Sequence, residues 1–295
     1  MGQNDRHLSC RSWTKTHIEK SIDGFYSHMK TGTRLLSIND LTLPEAILPS
    51  NLDLSEEYTK YLEEEVRDRR VPGIHASEIS SCVRSSTYTL LGTEPKVSIP
   101  ANMKERFEVG HAVHDMIQAA YENIARKSMG RISFQREVRV DDTPYAQQHF
   151  VSSSCDGVFT IFDSGSPVAR IGLEIKTEAP DSFVKLAGPR PKHLMQAHLY
   201  MKCLDLPYMW FLYINKGNQQ RTPMTAPWLV QFDPQMWEQV EKRIQIVLKS
   251  AEDVTLPEKE TGFHCSWCPY AYLCAPFNST YNAPVHKPIT RVKLR

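Results

Sequence analysis

The chain has 295 residues, 41% of them apolar, with 35 Lys and Arg against 34 Asp and Glu for a formal charge of +1. That length and apolar content suffice for one substantial core and a small second unit. The near-zero charge excludes a general basic field, so affinity for a polyanion must come from a local groove. The N-terminal stretch is polar and no long apolar run occurs, which excludes a secretory signal and a membrane span. The placement of the seven cysteines suits a reducing compartment, and the expected location is cytoplasmic, or the host cytoplasm if the chain is viral.

Residues 1–72 read as a helical extension, with a charge-rich helix over 55–70 ended by Val71-Pro72-Gly73. A domain spanning 73–277 follows, and 278–295 form a tail that is basic from 287 onward. Within the domain a helix is expected to carry Cys82. A longer one over 103–126 has Phe107, Val113, Met116, Ile117 and Ala120 at helical spacing. A strand over 132–140 precedes a hairpin from 154 to 177, turning near Gly165 in Asp163-Ser164-Gly165-Ser166-Pro167. A helix opens at Pro191, and strands are expected at 208–214 and 228–232. Asp233-Pro234 starts a last helix whose stripe of Trp237, Val240, Ile244, Val247 and Leu248 faces a core. The expected architecture is α/β, a mixed sheet flanked by helices.

The hairpin carries the chemistry. Folding it at Gly165 sets Asp156 across from Glu174, close enough for both carboxylates to hold one cation. Side chains alternate along a strand, so Glu174 and Lys176 share a face with Asp156, while Phe159, Ile161, Ile171, Leu173 and Ile175 form the core face. Two carboxylates and a lysine so placed suit a divalent-metal site that cuts phosphodiester bonds; taken alone, they equally suit a surface hairpin with a salt bridge. On the preceding helix, Arg106, Gly110 and His114 fall at four-residue steps on one face, which makes His114 a candidate further ligand. Gln196 and Tyr200, one turn apart on the Pro191 helix, could bind a nucleic-acid backbone or brace Lys176.

The C-terminal run Cys265-x2-Cys268-x5-Cys274, with Cys82 far upstream, supplies four thiolates for a structural Zn²⁺ or an iron–sulfur cluster. One ligand early and three late favours a cluster that ties the ends of a domain together. Cys10, Cys155 and Cys203 are expected to be buried free thiols.

Assembled in order, Arg106-x3-Gly110-x3-His114, Asp156, Glu174-x-Lys176, Gln196-x3-Tyr200 and the one-plus-three cysteines resemble the PD-(D/E)XK nuclease superfamily. The resemblance is to its RecB-like iron–sulfur branch and covers about residues 74–276. Cys155 stands before Asp156 where the superfamily's name has proline, and neither the first seventy or so residues nor the tail has a counterpart. No phosphate-binding loop of the G-x4-G-K-[ST] type occurs, so no helicase motor is fused.

The resemblance implies a restriction-endonuclease-like fold and a metal-dependent deoxyribonuclease acting on DNA ends or single strands in recombination, repair or replication. Asp156, Glu174, His114 and the main-chain carbonyl of Ile175 would hold Mg²⁺ or Mn²⁺. Lys176 would orient the attacking water, with Gln196 and Tyr200 beside it. Cys82, Cys265, Cys268 and Cys274 would carry a 4Fe–4S cluster, and Arg84 and Arg106 would contact DNA. Trp267, Tyr270 and Tyr272 would stack on bases or pack round the cluster. The competing reading is a catalytically silent DNA-binding scaffold serving recombination or replication proteins.

Overall fold

The computed structural model describes residues 73–96, 101–222 and 228–274, together with Glu56 and Tyr58. The expected 55–70 helix, the N-terminal extension and the basic tail lie outside the described residues, apart from Glu56 and Tyr58. The chain divides after Glu57, and the architecture below belongs to the second unit, Tyr58–Arg295.

A six-stranded mixed sheet forms the centre, with helices on both faces. In chain order the elements are α1 (Ala76–Ile79), α2 (Val83–Leu90), α3 (Ala101–Lys127), β1 (Ile132–Arg139), α4 (Pro144–His149), β2 (Ser154–Asp163) and β3 (Ser166–Glu178). Then come α5 (Pro180–Phe183), α6 (Pro191–Leu204), β4 (Tyr208–Asn215), β5 (Arg221–Thr222), β6 (Trp228–Gln231) and α7 (Pro234–Glu252). Strands β1, β2 and β3 form an antiparallel meander. The β3–α6–β4 unit then adds β4 parallel to β3, and β5 and β6 share its far edge. Among the described residues no helix is long and apolar enough to cross a membrane.

Sequence chemistry explains the punctuation. The β2–β3 turn places Ser164 and Gly165 at φ 50° and 83°, the left-handed pair a tight two-residue hairpin requires. At the start of α7 the Asp233 carboxylate accepts from the Gln235 N–H at 2.9 Å, and Pro234 begins the helix.

The sheet separates two apolar clusters. Val113 and Ile117 of α3 pack with Phe159, Leu173, Ile175, Leu212 and Ile214 on one face. On the other, α6 and α7 bury Leu199, Val240, Ile244 and Val247 against Val158, Phe211 and Tyr213. The expected α3 stripe needs correction. Phe107 is 44% and Met116 60% exposed; the inward line runs instead through Val113, Ile117, Gln118 and Tyr121. Gln118, a polar residue, hides part of the inward face from an apolarity pattern.

A second correction concerns alternation. The β2–β3 ladder reads Gly157↔Leu173 and Phe159↔Ile171, so continuing it puts Asp156 across from Glu174 as expected. Alternation nevertheless breaks just there. Cys155 belongs to the same cluster as Val158, whereas Phe159 faces α3. The neighbouring strand breaks too: Phe134 faces α3, Val138 packs into the other cluster, and Glu137 between them has φ 48°. Gly157 permits the close approach, since a Cβ there would lie 2.3 Å from the Phe134 ring.

Candidate active site

The site forms where β2 and β3 part. Their ladder ends at Gly157↔Leu173, and beyond it the Asp156 carboxylate takes over the bridging role: its Oδ2 accepts from the Ile175 N–H at 2.5 Å. Two residues of α3, one helical turn apart, hold the same aspartate. His114 Nδ1 stands 3.3 Å from Asp156 Oδ1, and Gln118 Nε2 donates to the Asp156 carbonyl at 2.8 Å. Gln118 Nε2 also donates to Glu137 Oε1 at 2.7 Å, tying in the residue where β1 breaks its alternation. Burial opposes protonation of His114, but its hydrogen bond to Asp156 and that carboxylate's charge prevail, so its pKa is raised.

Glu174 and Lys176 point from β3 toward α6. Glu174 is only 1% exposed, which pushes its pKa up to about 7; the Lys176 ammonium opposes the shift and the Asp156 charge adds to it. Lys176 Nζ lies 2.5 Å from Glu174 Oε1 as an ion pair. Lys176 also donates to Gln196 Oε1 at 3.1 Å, and Gln196 Nε2 donates to the Tyr200 hydroxyl at 3.0 Å. Burial alone would lower the Lys176 pKa, but the charges of Glu174 and Asp156 raise it overall, keeping the ammonium protonated.

Gly110 sits where α3 crosses β3. A Cβ at that position would stand 3.6 Å from Thr177 Oγ1, an ordinary contact, so the glycine leaves space one turn before His114. Arg106 is exposed on the same helix, and its carbonyl accepts from Lys216 Nζ at 3.1 Å.

A buried pair missed by sequence reasoning fixes the start of α6. Tyr213 Oη lies 2.6 Å from His193 Nδ1 and accepts from the Arg190 N–H at 3.1 Å. Burial, together with the charges of Lys176, Lys192 and Arg190, pushes the His193 pKa down to about 2, so its imidazole is neutral. The pair aligns the helix that presents Gln196. Gln118 was missed as well. Its i, i+4 relation to His114 was the available signal, but glutamine in a helix has too many solvent-facing uses to stand out.

Does the arrangement fit a divalent cation? Among the described residues, no group of three or more His, Cys, Asp and Glu side chains stands ready to ligate one. Protein groups occupy the carboxylates instead, the Lys176 ammonium at Glu174 and the His114 imidazole at Asp156. The donor set suits the ion even so. It has a buried carboxylate, Glu174, destabilised as an anion by burial and by the neighbouring Asp156 charge, and a divalent charge would relieve both conditions.

The C-terminal cysteine segment docks on α2. The Tyr270 ring packs tilted against Tyr88 at 5.1 Å between centroids and its hydroxyl lies 3.1 Å from Thr89 Oγ1, while the Lys96 N–H donates to the Pro269 carbonyl at 3.0 Å. Cys82 is the N-cap residue ahead of α2 and not a residue within a helix, a correction to the expected placement. Burial raises the pKa values of Cys82 and Cys268; the charge of Cys274 adds to both, and that of Cys82 adds to Cys268. Cys265 is exposed, with its Sγ 3.9 Å from the Glu260 carbonyl. Among the described residues these cysteines form no group of three or more side chains that could hold a metal. Arg84 is engaged structurally, donating from Nε to the Pro257 carbonyl at 2.7 Å. Tyr270 is buried, whereas Tyr272 is partly exposed and donates to the Glu94 carbonyl at 2.7 Å; the Trp267 side chain lies outside the described residues. Cys155 and Cys203 are buried free thiols as expected, and Cys10 lies outside the described residues.

No protein-family model matches the chain, and no curated protein matches it. Among solved structures, that of SSO0001 aligns over 75% of this chain and 95% of its own at 15% identity and a TM-score of 0.41. LHK-Exo in complex with dAMP aligns over 68% and 93% at 14% identity and a TM-score of 0.41. The alkaline exonuclease LHK-Exo from Laribacter hongkongensis aligns over the same shares at 13% identity and a TM-score of 0.37. At such scores the reading of the site rests on its own geometry.

Proposed function

We propose that this chain is a metal-dependent nuclease that hydrolyses phosphodiester bonds of DNA, acting from ends. The observation that carries the reading is the convergence at the β2–β3 fork: Asp156 bridging to the Ile175 N–H, with buried Glu174 beside a lysine held by Gln196.

Asp156, Glu174, His114 and the Ile175 carbonyl would hold Mg²⁺ or Mn²⁺. When bound, the ion lowers the pKa of a coordinated water and neutralises charge on the phosphate. Lys176 supplies a fixed positive charge and a donor at the same place, kept protonated by Glu174 and Asp156. Gln196 limits the rotation of that ammonium, and Tyr200 limits that of Gln196. Such preorganised charge costs no rearrangement when the transition state forms.

Cys82, Cys268 and Cys274, with Cys265, would hold a structural 4Fe–4S cluster, with Zn²⁺ as the alternative. Iron and sulfide content with visible absorbance would support the former; colourless protein with stoichiometric zinc would support the latter.

The test is cleavage of end-labelled linear and circular DNA, single- and double-stranded, with Mg²⁺ or Mn²⁺. Loss of linear DNA only, abolished by chelator and sharply slowed by Lys176→Ala, supports the proposal. Absence of cleavage by metal-replete protein on every substrate overturns it in favour of the scaffold reading.

A further inference from the structure

With a net charge of +1, the chain has no general attraction for a polyanion, so a DNA strand needs a local run of cations leading into the site. One exists at the carboxyl ends of the parallel strands β3 and β4, where ligands of open α/β sheets gather. Glu174, Lys176 and Glu178 alternate along one side of β3, about 6.5 Å between successive side chains. The last of them, Glu178, has cations near it from the start of α6 and from the end of β4. Arg190, at the start of α6, donates from Nε to Glu178 Oε1 at 2.8 Å. Lys216, just after β4, donates its N–H to the Glu178 carbonyl at 2.9 Å and its Nζ to the Arg106 carbonyl at 3.1 Å. Lys192 lies in the first turn of α6, one turn before Gln196 and therefore on the face that carries Gln196 and Tyr200.

The charges do not balance. Lys176 has Glu174 and Arg190 has Glu178, but among the described residues Lys192 and Lys216 have no carboxylate in ion-pair contact. Burial lowers the pKa of both lysines; Glu178 opposes the shift in each, while Lys176 and Arg190 reinforce it at Lys192 and Arg106 does so at Lys216. Cations crowded in this way are relieved by an anion arriving from outside.

We infer that Lys192 and Lys216, with Arg190 and Arg106, form a track for the sugar–phosphate backbone, holding the phosphates next to the one cleaved at Lys176. The inference rests on the nuclease reading and adds the direction in which the strand leaves the site, along β3 toward Glu178. Phosphate contacts of this kind position a strand without reading its sequence.

The experiment is binding of fluorescent single-stranded oligonucleotides of mixed sequence to full-length protein in chelator, followed by anisotropy over a range of salt concentrations. Lys192→Ala and Lys216→Ala should each reduce the salt slope by about 0.7, equally for all sequences and with the melting temperature unchanged. Lys249→Ala, on the exposed side of α7, serves as control and should leave the slope alone. Binding by wild type with unaltered slopes in both track variants overturns the track and leaves the nuclease reading standing. Absence of any binding by wild type overturns the track, and the cleavage assay with metal decides the nuclease reading separately.

Discussion

Asp156 Oδ2 accepts the Ile175 N–H at 2.5 Å across a gap where the two strands no longer pair. One carboxylate thereby closes the end of a β-ladder and stands at the mouth of the site. Asp156→Ala should abolish cleavage and also loosen the fork. Asp156→Asn keeps an oxygen acceptor for Ile175, so it should lose cleavage while retaining a near-wild-type melting temperature. Residual Mn²⁺-dependent activity in Asp156→Asn comparable to wild type would remove this residue from the catalytic set.

Lys176→Ala should lower the cleavage rate by about 10²–10³-fold, the effect of removing one preorganised charge-stabilising donor. Gln196→Ala should lower it less, because the ammonium stays in place and loses only its brace. Single-turnover rates at saturating DNA separate the two; equal losses would mean that Gln196 touches substrate itself.

Burial raises the Glu174 pKa from an ordinary 4.5 to about 7. Below pH 4.5 the carboxyl is protonated in both folded and unfolded chains. Between 4.5 and 7 the unfolded chain ionises while the folded one keeps its proton, so stability falls as pH rises through that window, by about 3 kcal/mol at most. Glu174→Gln lacks this term. Its stability relative to wild type in chelator should therefore increase from pH 4.5 to 7, measured by urea unfolding. Mn²⁺ at pH 8 should raise the melting temperature of wild type and leave that of Glu174→Gln almost unmoved.

Gln118 grips the Asp156 carbonyl while His114 faces its carboxylate from the next turn. Gln118→Ala removes a buried donor and should cost about 1–3 kcal/mol. Beyond that loss, it should weaken Mn²⁺ binding in calorimetric titration, because Asp156 gains rotational freedom. Ser128→Ala, which loses a hydrogen bond between the turn after α3 and β1, is the comparison: if both variants bind Mn²⁺ equally, Gln118 is a structural residue only.

Glu260 accepts two hydrogen bonds from Arg243 and one from the Val83 N–H at the start of α2, tying three segments at the cysteine region. Burial would raise its pKa, but the Arg243 and Val83 hydrogen bonds lower it overall. This contribution is present above pH 4.5 and is lost as pH falls through the depressed folded value. A third of the side chain is exposed, so solvent screening limits Glu260→Ala to about 1–2 kcal/mol. Its destabilisation should shrink on acidification toward pH 3, followed by thermal melting.

Much of the site was legible in the chain itself. A hairpin turn at Ser164-Gly165 is marked in the sequence, since two left-handed residues are needed there and a glycine supplies one. That turn pairs Asp163 with Ser166 and by itself would bring Asp156 to Leu173; a one-residue register shift between Ile161 and Phe162 is what sets Asp156 opposite Glu174, while alternation along β3 places Lys176 beside Glu174. The i, i+4 spacing likewise determined that Gln196 and Tyr200 meet. Such local geometry is periodic and short-range, so sequence suffices for it.

Tertiary structure decided the rest. Alternation fails at Asp156 and Glu137 because β1 and β2 change face together there, a property of two strands and of the Phe134 ring that presses on Gly157. Long-range packing turned Gln118 inward and left Phe107 and Met116 outside, a choice that helical spacing alone does not make. It also joined Tyr213 of β4 to His193 and Arg190, and gathered Lys192 and Lys216 from separate elements around Glu178. Burial and charge depend on which segments meet in space, and so the raised pKa of Glu174 and the crowding of cations beside it became visible only in the fold.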